Sequence, residues 1–184
     1  MNDLMSQLKS YIPFNEQEKQ DKQLIIDQLA NAKDIFTRKN KLAHFTVSAW
    51  IISHDKNKVL MAYHNIYQSW SWLGGHADGN SNLKQEIQEE SGLTDAKFLS
   101  DNIFSLEVLT VDGHEKRGEY VSSHLHLNIT YLFEADTTMP LRIKPDENSQ
   151  IAWLDLSSLD SKVSEVWFNQ RIYHKLIEKV NLLY

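Results

Sequence analysis

The chain contains no cysteine. This excludes disulfides, thiolate metal sites and cysteine nucleophiles. No apolar run approaches the roughly 18 residues that a membrane span needs. The first twenty residues are polar and lack the apolar core of a signal peptide. We therefore expect a soluble, cytoplasmic protein with no membrane partner.

A basic stripe is also absent. The net charge is −6 and both signs are interspersed, so no nucleic-acid partner is expected. Internal repeats and low-complexity linkers are missing too. The length of 184 residues, with 41% hydrophobic and 24% charged residues, is typical of a globular protein. We predict an N-terminal helical extension over residues 1–40 and one main domain over residues 41–184.

Hydrophobic periodicity predicts the order of helices and strands. Leu24, Ile25 and Leu29 indicate a helix over residues 15–38, and a closing helix is expected over residues 161–180. A short helix is predicted at 84–91, after a loop at 66–82. Strands are predicted at 44–53, 59–65, 103–115, 124–135 and 151–156, the first two as a hairpin. This order predicts an α+β fold, an α/β/α sandwich with a mixed sheet.

The segment WLGGHADGNSNLKQEIQEESGL, residues 72–93, carries the chemistry. At about 100° per residue, Glu86, Glu89 and Glu90 share one helical face within an arc of about 100°. A divalent cation relieves the repulsion between these carboxylates, and Mg²⁺ or Mn²⁺ prefers oxygen ligands. Gly74 and Gly75 let the backbone approach a ligand closely, so that a carbonyl can join the same metal. The alternative is that the three carboxylates are a solvated helix face.

The same residues resemble the Nudix box, G-x5-E-x7-R-E-U-x-E-E-x-G-U, in which U is aliphatic. The second half of the pattern is matched by EIQEESGL and its first position by Gly75. The flanking segments AHFTVSAWII, GGHADG, SSHLHLNITYLFEA and ENSQIAWLDL resemble a bacterial branch of this family. The resemblance covers most of residues 40–160.

The resemblance implies a Nudix-like fold and a hydrolase that uses Mg²⁺ or Mn²⁺. Such enzymes cleave the diphosphate of a nucleoside diphosphate linked to another moiety, through attack of water on phosphorus. Glu86 and Glu90 would be metal ligands, and Glu89 a third ligand or the base. A carbonyl of Gly74 or Gly75 would complete the coordination.

Histidines are candidate contacts to the substrate. His124 and His126 are two residues apart in a predicted strand and therefore point to one face, while Leu125 and Leu127 turn to the core. They would contact phosphate or base, or they are polar residues on an open sheet face. His76 in the glycine loop is placed to touch a phosphate, or it is solvated.

Two further residues have open roles. Trp70 is either an anchor for the loop or a platform on which a nucleobase stacks. Family resemblance suggests Glu147 as a carboxylate near the cleft that activates water; otherwise it is a surface residue at a strand end.

The box departs from the family pattern. Ser81 stands where the pattern has its first Glu, and Gln85 stands where it has Arg. Ten residues separate Gly75 from Glu86, whereas the pattern has fourteen. Either the box is shorter by about one helical turn, or the sequence lacks four residues. The flanks favour the second explanation, which predicts a wide gap in the backbone between 79 and 86, for example between Leu83 and Lys84.

Other classes fit less well. A catalytically impaired Nudix-fold module that binds a nucleotide or diphosphate ligand is favoured by Ser81 and Gln85. An isoprenoid diphosphate isomerase would use a cysteine, and a Nudix-type transcriptional regulator would need a basic domain. The nucleobase and linked group are open, and so is a homodimer.

Overall fold

The computed structural model describes residues 2–80, 82, 96–116, 118–141, 143 and 148–184. In these residues the fold class is α+β with a mixed sheet, as predicted. The helices are α1 Asn2–Ser10, α2 Glu16–Asn31, α3 Leu159–Lys162, α4 Val166–Phe168 and α5 His174–Leu183. A 3-10 turn spans Leu156–Ser158, and a π-helical turn spans Asn169–Tyr173. None of the helices in the described ranges is long and apolar enough to cross a membrane.

The strands are, in chain order, β1 Ala43–Ser53, β2 Lys58–His64, β3 Ser69–Ser71, β4 Leu73–His76, β5 Lys97–Phe98, β6 Ser105–Val111, β7 His114–Lys116, β8 Glu119–Val121, β9 His124–Ala135 and β10 Asn148–Asp155. As far as the structure is described, eight of them form one sheet in the order β10-β2-β1-β9-β5. In addition, β3 pairs with β2, β4 with β1 and β6 with β9, whereas β7 and β8 pair with each other. Every residue of β1 is buried, including four polar ones, of which Thr46 and Ser48 donate hydrogen bonds to Asn128 Oδ1.

The described chain forms two compact units. The first contains residues 2–48, 74–80 and Asn102–Thr130. In this unit α2 packs on β6, and α1 packs on α2. The rings of Phe36 and Phe45 stack with their centroids 4.9 Å apart. Ile25 and Leu29 are buried, as the helical pattern requires, whereas Leu24 is 38% exposed and does not belong to the buried stripe.

The helix predicted at 15–38 is real but shorter. It begins after Asn15, whose side chain accepts a hydrogen bond from the Glu18 amide and so caps the first turn. It ends at Asn31, because Ala32 is extended and Asp34 is left-handed with φ of 54°. A second helix, α1, precedes it and was not predicted.

A buried polar network in the first unit was also not predicted. Glu18 and Glu107 are both fully buried, and the Ser105 hydroxyl lies 2.8 Å from Glu18 Oε1 and 2.5 Å from Glu107 Oε1. The amide nitrogen of Asn128 donates to Glu107 Oε2 at 2.9 Å, and the Thr130 hydroxyl donates to the same oxygen at 3.0 Å. These partners offset part of the desolvation that burial imposes on the carboxylates.

The second unit contains residues 49–73, 96–101 and Tyr131–Tyr184. Here β2 pairs antiparallel with both β10 and β3. Tyr173 is central to its core: its ring stacks on Trp50 at 5.4 Å, and its hydroxyl accepts a hydrogen bond of 3.2 Å from the Trp72 amide. Buried Ile172 and Leu176 flank it.

Several boundaries differ from the prediction. The hairpin of β1 and β2 is confirmed, with Ile52 opposite Val59, and β9 spans the predicted residues 124–135. The closing helix over 161–180 is wrong as a single element, because it is broken into α3, α4, a π-helical turn and α5. The loop predicted at 66–82 contains β3 and β4, and the strand at 103–115 divides into β6 and β7. The helix predicted at 84–91 lies outside the described residues.

Candidate functional site

The glycine pair of the opening motif lies in β4. A Cβ on Gly74 would come within 2.6 Å of the Val47 carbonyl oxygen and 2.9 Å of the Ser48 hydroxyl. Both distances are shorter than real Cβ contacts, so a side chain here requires a shift of the neighbouring backbone. Gly74 is therefore required by the close approach of β4 to β1.

The loop after β4 is tied to the residues before β1. The Arg38 guanidinium donates two hydrogen bonds to the Asp78 carboxylate, at 2.9 and 2.5 Å. This contact lowers the pKa of Asp78 below its ordinary value. Gly79 has φ of 95° and donates its amide to the Phe36 carbonyl at 2.8 Å. The loop HADG thus has a defined backbone up to residue 80.

Four histidines of the first unit gather where these strands meet. His44 is in β1 and His76 is the last residue of β4. His124 and His126 lie at the start of β9. The Leu125 amide donates to the Leu42 carbonyl at 2.9 Å, which sets the start of β9 beside the start of β1. We call His44, His76, His124 and His126 the histidine cluster.

Three of these rings form a nearly equilateral triangle. The centroids of His44 and His124 are 4.9 Å apart, and those of His44 and His126 and of His124 and His126 are each 5.0 Å apart. One nitrogen from each ring lies within 4.8 Å of one nitrogen from each of the others. The ring of His76 lies beside this triangle, 5.2 Å from that of His44 and 5.0 Å from that of His126.

Backbone carbonyls fix the tautomers of two cluster members. His44 Nδ1 lies 3.2 Å from the Asn40 carbonyl oxygen, and His124 Nδ1 lies 2.8 Å from the Ser122 carbonyl oxygen. Since a carbonyl only accepts, Nδ1 must carry the proton in both rings. In this tautomer Nε2 is the nitrogen that carries the lone pair.

Burial favours the neutral state of three cluster members, His44, His76 and His126. Burial, and after it the neighbouring histidines, lowers the pKa of His126 to about 2. Burial, and after it Arg38 and His44, lowers the pKa of His76 to about 4. Burial also lowers the pKa of His44. At neutral pH these imidazoles offer lone pairs and N–H groups and carry no positive charge.

The sequence-predicted site is only partly described. His124 and His126 lie on one face, as predicted, because their Nε2 atoms are 3.2 Å apart. Leu127 is buried below them, whereas Leu125 is half-buried like the histidines, so the predicted contrast holds only for Leu127. The carboxylates Glu86, Glu89, Glu90 and Glu147 lie outside the described residues, as do Leu83 and Lys84.

Trp70 and the glycines have defined places. Trp70 is half-buried in β3 of the second unit, and its ring meets that of Tyr63 edge to face at 5.6 Å. Gly74 and Gly75 lie in β4. Their predicted role as carbonyl ligands stays a prediction.

Sequence reasoning missed His44. It is a single histidine at the start of a buried strand, 80 residues before His124 in the chain. No neighbouring residue in its segment indicates a ligand. Only the pairing of β1 with β9 brings it to the other histidines. The signal that could have found it is the concentration of histidines at the starts of two predicted strands, 44–53 and 124–135, and in the glycine loop.

No family model matches the chain, and no curated protein matches it either. Several solved structures, in contrast, are similar to the chain. The Nudix domain of NrtR from Shewanella oneidensis, solved with ADP ribose, is 17% identical with a TM-score of 0.52, over 85% of this chain and 96% of that one. An Ap4A hydrolase of Caenorhabditis elegans is 15% identical with a TM-score of 0.52, over 76% and 96%.

A third similar structure is the dihydroneopterin triphosphate pyrophosphohydrolase of Escherichia coli. It is 13% identical with a TM-score of 0.52, over 73% of this chain and 94% of that one. At these identities the likeness concerns the fold alone, and it shows that the chain has the Nudix fold.

Proposed function

We propose that the protein is a Nudix-type pyrophosphohydrolase that needs Mg²⁺ or Mn²⁺. It hydrolyses the diphosphate of a nucleoside diphosphate linked to another moiety. The observation that carries the proposal is the combination of a Nudix fold with the segment EIQEESGL, which resembles the second half of the Nudix box. The ligands in the names of the similar proteins, ADP ribose and Ap4A, are nucleotide derivatives.

The chain offers the ligand types that the reaction requires. Glu86 and Glu90 would hold the cation, with Glu89 as a third ligand or base and a carbonyl of Gly74 or Gly75 beside them. A bound Mg²⁺ or Mn²⁺ lowers the pKa of water and neutralises charge on the diphosphate oxygens. The described part of the site supports this role, because Gly74 and the Arg38–Asp78 pair define the backbone that enters the carboxylate segment.

The remaining roles concern the substrate. Neutral His76 can donate one N–H to a phosphate oxygen without adding charge. Trp70 is half-buried and packs nearly perpendicular to Tyr63, and stacking on a nucleobase is its proposed role. Glu147 is the proposed base for the attacking water. A cytoplasmic location and the absence of a nucleic-acid partner stay predictions.

The test is hydrolysis of a panel of nucleoside diphosphate derivatives, with and without Mg²⁺ or Mn²⁺. Glu90→Gln keeps the side chain's shape and removes its charge. We expect it to lower metal-dependent turnover by more than the about 10²–10⁴-fold that a general base contributes. Glu178→Gln, which changes an exposed carboxylate of α5, should leave turnover unchanged. Turnover of Glu90→Gln within about twofold of the unmodified chain would contradict the metal assignment.

The second candidate is a module that binds a nucleotide or diphosphate ligand without cleaving it. Ser81 and Gln85, in place of a box Glu and Arg, favour it. It predicts saturable binding of a nucleoside diphosphate derivative by calorimetry with no release of nucleoside monophosphate at any cation concentration. The hydrolysis panel therefore separates the two candidates directly.

A further inference from the structure

We propose that His44, His124 and His126 form a second metal site, for a first-row transition-metal ion of the Zn²⁺ type. The three Nε2 atoms are its ligands. This site uses none of the carboxylates of the proposed hydrolase centre and does not depend on that function.

The spacing of the rings fits one shared ion. With metal–nitrogen bonds of about 2.0–2.1 Å, two imidazole nitrogens on a tetrahedral Zn²⁺ lie about 3.3 Å apart and their ring centroids about 5 Å apart. The Nε2 atoms of His124 and His126 are 3.2 Å apart. The three centroid distances, 4.9, 5.0 and 5.0 Å, match this geometry on every side of the triangle.

The hydrogen bonds of the rings are those of metal-bound histidines. Such a ligand usually donates its other N–H to a carboxylate or a backbone carbonyl, which fixes the tautomer and aims the ring. His44 and His124 do this through Asn40 and Ser122. Without metal, the Nε2 lone pair of His124 faces His126 Nε2, its hydrogen-bond partner at 3.2 Å, whereas His44 Nε2 has no partner among the described residues. Coordination would replace the hydrogen bond between His124 and His126.

His44 provides an independent indication. Its Nε2 is buried and has no hydrogen-bond partner among the described residues. A buried polar atom without a partner destabilises the folded state, because it loses its hydrogen bonds to water and gains none. Coordination of a cation by this atom removes that cost, which a purely packing role for His44 leaves in place.

The ligand set selects the metal. Imidazole suits Zn²⁺, Ni²⁺ and Co²⁺, whereas Mg²⁺ and Ca²⁺ prefer oxygen. Three protein ligands leave a fourth tetrahedral position for water or an anion.

The experiment uses the full chain without a histidine tag, treated with chelator and then titrated with Zn²⁺ by calorimetry and with Co²⁺ by visible absorption. We expect one equivalent of Zn²⁺ to bind, with tetrahedral nitrogen-ligated Co²⁺ bands. His44→Phe keeps an aromatic ring at the buried position. It should lower the affinity for Zn²⁺ by more than the roughly 10–100-fold that loss of a hydrogen-bond partner of a ligand costs. His124→Phe, at a more exposed position, tests the site independently if His44→Phe folds poorly.

Two controls separate this site from the carboxylates. His54→Phe changes an exposed histidine of the second unit and should bind Zn²⁺ like the unmodified chain. Glu90→Gln should also keep Zn²⁺ while losing Mg²⁺-dependent turnover. The proposal is overturned if the chain binds no Zn²⁺ in the micromolar range, which would leave a hydrogen-bonded histidine cluster only. It is equally overturned if Zn²⁺ binding survives in both cluster variants or is lost in Glu90→Gln.

Discussion

Gly74 is the residue at which sequence and packing constrain each other most. Its missing Cβ leaves room for the Val47 carbonyl oxygen, which a Cβ would approach to 2.6 Å. The neighbour is backbone, so it cannot swing away, and β4 would have to shift from β1. We predict that Gly74→Ala lowers the free energy of unfolding by about 1–3 kcal/mol, the range for overpacking. Chemical denaturation followed by circular dichroism measures this.

Gly118→Ala is the reference for that measurement. Gly118 has φ of 81° and no atom within 4 Å of a built Cβ, so the change adds backbone strain without a clash. We expect it to cost about 1–2 kcal/mol through the left-handed backbone alone, and to leave the packing of β4 on β1 intact. If Gly74→Ala is as stable as the unmodified chain, β4 has more room beside β1 than the distances indicate.

At the residue scale, the sequence predicts which side chains lie together when they belong to one strand. It does not predict the proximity of side chains from different strands. The alternation in HLHLN predicts that His124 and His126 share a face, and they do. His44 joins them only through the pairing of two distant strands, which alternation does not specify. Glu18 and Glu107 are missed for a related reason: a pattern based on polarity places carboxylates in solvent, whereas here partners from several elements bury them.

At the scale of the element, α2 gives a matched pair of neighbours. Ile25 is fully buried and Leu24 is 38% exposed. We predict that Ile25→Ala costs about 2–5 kcal/mol, because it opens a cavity in the core. Leu24→Ala should change the free energy of unfolding by about 0.5 kcal/mol or less. Urea denaturation of both variants checks this, and equal losses would mean that α2 is rotated from the orientation described.

The limits of α2 show which element boundaries local sequence encodes. Its start is readable, since Asn15 supplies a cap for the amide three residues later. Its end is not, because the polar residues after Asn31 continue a helical composition while the backbone turns into the left-handed region at Asp34. The break before α5 is hidden in the same way, since the apolar residues of 161–180 keep helical spacing across a π-helical turn.

For the whole molecule, the order of strands and helices predicts an α+β fold, and the resemblance of residues 72–93 and their flanks to the Nudix box implies a Nudix fold. The fold is confirmed by solved structures of low identity. The chemistry was predicted from the one segment whose carboxylates lie outside the described residues. The sequence therefore predicts the fold and the candidate metal ligands. It does not predict their positions, and metal coordination depends on distances of a few tenths of an ångström. Whether ten residues or fourteen belong between Gly75 and Glu86 decides those distances.

The histidine site has a consequence for the stability of the whole chain. A ligand that binds only the folded state adds RT ln(1 + [L]/Kd), about 2.7 kcal/mol when free Zn²⁺ is 100 times Kd. For a chain of this size, about 1 kcal/mol raises Tm by about 2–4 °C. We therefore predict that Zn²⁺ raises Tm by about 5–10 °C. Binding of Zn²⁺ to the eight histidines of the unfolded chain would reduce this shift. In differential scanning calorimetry, His54→Phe should keep this shift and His44→Phe should lose it, each compared with its own metal-free Tm. An equal shift in both variants would place the stabilising ion elsewhere in the chain.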